Sequence, residues 1–109
     1  MNRQKSQFID VAAMDALKPG DMLRVNAFGE RILLANDGDD LYAVSDTCSH
    51  EDASLSLGAL KNATISCPLH GSRFCLRTGA ALDEPAEVAI QVYTVEVIEG
   101  RIMLAKSST

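Results

Sequence analysis

Short runs of Val, Ile, Leu and Tyr recur along the chain and are parted by Gly, Pro, Asn and Asp. That spacing is the pattern of an all-β sandwich or barrel, and helical periodicity is weak throughout. The runs predict strands at Phe8–Ala12, Met22–Val25, Arg31–Ala35, Leu41–Ser45, Thr64–Ser66, Arg73–Leu76, Val92–Ile98 and Arg101–Leu104. In Val92–Ile98, Tyr93, Val95 and Val97 alternate with Thr94 and Glu96, so one face is buried and the other meets water or another sheet. Pro19-Gly20-Asp21 presets a turn, Asn36-Asp37-Gly38 supports a left-handed residue, and Glu99-Gly100 closes the last hairpin. The expectation is an antiparallel topology built mostly from hairpins, without internal repeat or linker.

A length of 109 residues suits one domain, and the near absence of large aromatics predicts a finely packed aliphatic core. The formal charge of -5 argues against nucleic acid, because phosphate-backbone binders concentrate Lys and Arg on one face. An acidic surface favours docking against basic patches on other proteins. The stretch from Met1 to Asp10 lacks the apolar core of a secretory signal, and no run approaches the roughly 18 apolar residues of a membrane span. The chain therefore reads as cytoplasmic, with no membrane segment.

From Asp46 to Thr78 the β pattern is interrupted by two loops, CSHEDASLSLG and CPLHGS, which gather Cys, His, Pro and Gly. Loops on a rigid sheet scaffold are where binding groups are most often presented. Cys48 and His50 form a C-x-H pair and Cys67 and His70 a C-x-x-H pair, and together they use every histidine in the chain. Two thiolates and two imidazoles suit either a tetrahedral zinc site or a [2Fe-2S] centre in which histidines replace two cysteines on one iron. Paired ligands of structural zinc are usually parted by two to four residues, so C-x-H is tight for a single ion. It suits a pair that gives one ligand to each of two neighbouring irons. A cluster held by four cysteines is excluded, since only Cys48, Cys67 and Cys75 exist.

Over essentially its whole length the sequence resembles the Rieske ferredoxins. CSHEDASLSLG and CPLHGSRFCLRTG are similar to that family's two cluster-binding loops in order and separation, and Pro85-Ala86 is similar to the proline-containing loop that covers the cluster. The resemblance implies one Rieske domain over residues 1–109, a small antiparallel β-sandwich with a cluster-binding subdomain of two loops at about 46–85. It implies one [2Fe-2S] cluster with Cys48 and Cys67 on one iron and His50 and His70 on the other. Membrane-anchored members carry an additional disulfide at positions held here by Ala53 and Leu69, so the chain departs from that branch. Of two side chains that donate hydrogen bonds to the cluster there, Ser72 is retained and the tyrosine is replaced by Phe74. Hydrogen bonds to sulfur stabilise the reduced, more negative state, so losing one predicts a potential near the low end of the Rieske range, about -150 mV.

Cys75 follows Phe74 in an expected strand and reads as a packed thiol rather than a ligand. Gly71 is expected to permit a tight backbone beside the cluster, and Gly79 a turn. Asp37–Asp40 reads as a solvated hairpin tip, with a docking patch as the alternative, whereas Glu51 and Asp52, next to His50, could shape a partner's approach or simply be solvated.

The function implied by resemblance is a soluble, monomeric one-electron carrier. It would link a flavin-dependent reductase to the terminal oxygenase of a bacterial aromatic-ring dioxygenase and transform no substrate itself. A self-contained oxygenase would need a further mononuclear iron on two more histidines, and none remain. The alternatives are a Rieske small subunit of a reductase such as assimilatory nitrite reductase, and a redox-silent zinc module.

Overall fold

A computed structural model describes residues 8–49, 53–69, 71–84, 86 and 88–106. The apolar runs become β1 (Ile9–Ala13), β2 (Met22–Ala27), β3 (Glu30–Asn36), β4 (Leu41–Ser45), β5 (Ala59–Lys61), β6 (Thr64–Ser66), β7 (Arg73–Cys75), β8 (Val92–Ile98) and β9 (Arg101–Lys106). All pair antiparallel, in a six-stranded sheet ordered β1-β9-β8-β4-β3-β2 and a three-stranded sheet ordered β5-β6-β7. Each expected strand forms. β5 was not expected, because Ala-Leu-Lys carries no periodicity of its own; its pairing with β6, across a turn at Asn62 with φ of 56°, makes it a strand.

The unbroken apolar run of β3 is explained by burial on both of its faces. Ile32 and Leu34 join a core with Ala27, Ala43, Tyr93, Ile102 and Leu104. Val11 of β1 and Val25 of β2 pack against the same core, so both edges of the large sheet curl toward one another. Leu33 and Ala35 point the other way and, with Tyr42 and Val44 of β4, meet Ile65, Phe74, Leu55 and Leu76 from the small sheet and its loops. This second core is the middle layer of the expected sandwich. Each fully buried aliphatic or aromatic side chain there stabilises the fold by about 1.5–3 kcal/mol relative to exposure.

The alternation expected for β8 holds only near the core. Tyr93 is buried, but Val97 is 48% exposed, because β4 pairs with β8 only at Ala43↔Tyr93 and Val44↔Val92 and the strand runs on beyond its neighbour. Glu99 and Gly100, with φ of 51° and 78°, supply the paired left-handed residues of the expected β8–β9 turn.

Candidate metal centre

The first loop leaves β4 at Ser45 and the second joins β6 to β7. Both are closed in the same way. The Cys48 N–H donates to the Ala53 carbonyl at 2.9 Å, and the Cys67 N–H donates to the Ser72 carbonyl at 2.8 Å. In each case a buried cysteine opens the loop and its amide ties down the loop's far end. Cys48 and Cys67 are each 3% exposed and belong to one apolar cluster with Ala53, Phe74 and Ala86. Neither is in a disulfide. His50 and His70, the other two expected ligands, lie outside the described residues, as do Glu51, Asp52 and Pro85.

Five more connections hold the first loop at its base. Thr47 and Ser54 form an isolated antiparallel bridge, and Arg31 Nη2 donates to Thr47 Oγ1 at 3.1 Å. The Leu55 N–H donates to the Asp46 carbonyl, while Leu55 itself is fully buried in the second core. The Asp46 carboxylate, wholly buried, accepts from the Ser54 hydroxyl and from the Ser56 N–H at 2.9 Å. Gly58 then turns the chain into β5 so close to β6 that a Cβ there would lie 1.7 Å from the Ser66 carbonyl oxygen. Only glycine fits that approach.

In the second loop the Gly71 N–H donates to the Cys67 carbonyl at 3.0 Å, with Gly71 at φ of 75°. A Cβ on Gly71 would meet nothing within 4 Å, so its left-handed backbone, not crowding, is what calls for glycine. Gly79 exceeds the turn role expected of it: φ is 82°, and a Cβ would also fall 2.1 Å from the Ile90 carbonyl oxygen.

Asp83, Ala86 and Val88 fasten the two loops together. Asp83 receives Arg73 Nε at 2.6 Å and Nη2 at 3.2 Å, plus the Arg73 N–H at 3.2 Å. The Ala86 N–H donates to Ser72 Oγ at 3.3 Å, and the Ser49 hydroxyl donates to the Val88 carbonyl. The hydrogen bond from Arg73, followed by its charge, holds the Asp83 carboxyl below the ordinary carboxylate range. Ser72 Oγ, used here as an acceptor, keeps its own proton to donate elsewhere.

Cys75 is half-buried on β7, and a hydrogen bond with the Thr78 side chain lowers its thiol pKa. Asp37 spends its carboxylate on the N–H groups of Asp39 and Asp40, which makes the acidic run a self-bonded hairpin tip. Among the described residues no three His, Cys, Asp or Glu side chains gather as a rival metal site. The donor set fits a cluster: two buried thiols open two identically closed loops, and each loop's motif also contains one histidine.

The fold and the paired loops define an antiparallel β protein of the iron–sulfur class. The chain belongs to the Rieske [2Fe-2S] domain family, whose pattern matches residues 7–94, and it holds one [2Fe-2S] cluster of the Rieske type. It is 43% identical over 81 residues to the ferredoxin component of biphenyl 2,3-dioxygenase from Rhodococcus jostii (strain RHA1), covering 74% of this chain and 76% of that one. To the ferredoxin CarAc of Metapseudomonas resinovorans it is 40% identical over 99 residues, or 90% and 92% of the two chains. A solved complex of reduced oxygenase and oxidised ferredoxin in carbazole 1,9a-dioxygenase contains a chain similar at a TM-score of 0.87 and 38% identity, with 94% of this chain and 98% of that one covered.

Asp46, Ser49 and the Arg73–Asp83 pair were not singled out by the sequence. An aspartate two residues before Cys48, followed by Ser54 and Ser56, was the available signal for the first of them.

Proposed function

We propose that this chain is a soluble one-electron carrier, passing electrons from a flavin-dependent reductase to the terminal oxygenase of a multicomponent aromatic-ring dioxygenase. The observation that carries the reading is the pair of buried thiols, Cys48 and Cys67, opening two loops that a third segment ties together. Similarity to ferredoxin components of biphenyl and carbazole dioxygenases supports it over a subunit of nitrite reductase.

Cys48 and Cys67 bind one iron, and His50 and His70 the other. The cluster supplies storage for one electron at a time. The chain's residues fix the thiolates, exclude water from them, and offer the Ser72 hydroxyl as a donor to sulfur. Both histidines are used in ligation, which leaves none for a mononuclear oxygen-activating iron, so the carrier transforms no substrate. It acts as a cytoplasmic monomer and a single domain, with residues 46–85 as the cluster-binding part. Among the described residues no helix is long and apolar enough to cross a membrane. Exposed Leu69, 64% accessible in the second loop, gives that end an apolar contact for a partner.

The test is reconstitution with purified flavin reductase and terminal oxygenase of an aromatic-ring dioxygenase. Aromatic dihydrodiol should form only when this chain is added, at least about tenfold above the two-component background, a barrier difference near 1.4 kcal/mol. A cluster-loaded protein that reduces no such oxygenase would overturn the reading.

A further inference from the structure

Asp46 is the one buried aspartate, glutamate, lysine or arginine among the described residues, and it is wholly inaccessible. Charged side chains are rarely buried without a partner or a task. Its carboxylate has two kinds of neighbour. The Ser54 hydroxyl and the Ser56 N–H come from the far side of the first loop, and Arg24 Nη1 approaches from β2 at 3.9 Å. All are donors, the set complementary to an anion. Arg24 itself is 51% exposed, so a desolvated negative charge is paired with a cation at the water boundary.

The chain places Asp46 two residues before Cys48, and Arg24 reaches it from β2. The backbone of Asp46 accepts from Leu55 and donates to Arg31, so side chain and backbone together lock both ends of the loop to β3. A second cation, Arg31, is engaged with Thr47 on the same loop. A buried charge acts through a low effective dielectric, and salt screens it less than a surface charge. Adding an electron beside an uncompensated carboxylate is disfavoured.

We propose that Asp46 and Arg24 are a positioning and charge-balancing pair for the cluster: the carboxylate fixes the first loop, and the guanidinium offsets the negative charge this anchor brings. The inference rests on Cys48 being a ligand. Asp46 is a positioning residue, acting through the loop rather than on the iron.

The test is an EPR-monitored redox titration of cluster-loaded protein, unmodified and as Arg24→Gln, Arg24→Lys, Arg101→Gln and Asp46→Asn. Arg101, ion-paired with Asp10 on the surface, controls for loss of one positive charge anywhere. Arg24→Gln should lower the midpoint more than Arg101→Gln does, and Arg24→Lys should restore it. Asp46→Asn should raise it, and if that variant fails to load, the Arg24 series decides alone. An Arg24→Gln midpoint equal to that of Arg101→Gln, or a Lys variant shifted as far as the Gln variant, overturns the proposal. Absence of a Rieske-type signal from the unmodified protein would instead overturn the ligand assignment.

Discussion

At Phe74 the side chain is fully buried in the core that also contains Cys48 and Cys67. A phenyl ring there packs well but donates nothing to sulfur, which leaves Ser72 as the one hydroxyl of the resemblance's donor pair. Restoring a donor with Phe74→Tyr should raise the midpoint potential. One added hydrogen bond contributes about 1 kcal/mol, equivalent to roughly 40 mV for a one-electron couple. Voltammetry of the cluster-loaded variant checks this, and an unchanged or lower midpoint counts against it. Cys48 and Cys67 were legible in the sequence because thiols paired with histidines at short spacing have little other use. Asp46 was not, since an aspartate after a strand is ordinary turn chemistry until its burial and its bonds to Ser54 and Ser56 are seen.

Among elements, Asp83 is held to β7 mainly by its ion pair with Arg73. Arg73→Ala removes both side-chain hydrogen bonds to Asp83 and leaves only the one donated by the backbone N–H. Because the folded Asp83 carboxyl titrates below its ordinary value, the clamp's stabilisation is present above the unfolded carboxylate pKa, about 3.9. It is lost as pH falls through the depressed folded value. Near neutrality Arg73→Ala should therefore shed its cluster faster than the unmodified protein, followed by loss of visible absorbance, and the gap should close in strong acid. A gap independent of pH would refute the clamp. Long-range pairing of this kind leaves no periodicity to read, and the same is true of β5, whose strand state comes from β6. The both-face burial of β3 was legible only as a continuous apolar run; which residues face which core required the sheet to be seen curling.

For the whole molecule, the large sheet has its own core, and the small sheet with the loops of Cys48 and Cys67 packs on its other face around a second core. The chain as a whole carries a net charge of -5, in keeping with encounters steered by partners' positive patches. One Rieske-type [2Fe-2S] cluster is the centre on which the proposed electron transfer depends. The most direct measurement is an EPR-monitored redox titration of the anaerobically purified protein. A Rieske-type signal with a midpoint of about -150 mV, near the low end of the range for histidine-ligated centres, is the expected result. A colourless protein without that signal would contradict the mixed ligation, and a positive midpoint would contradict the role assigned to the missing tyrosine.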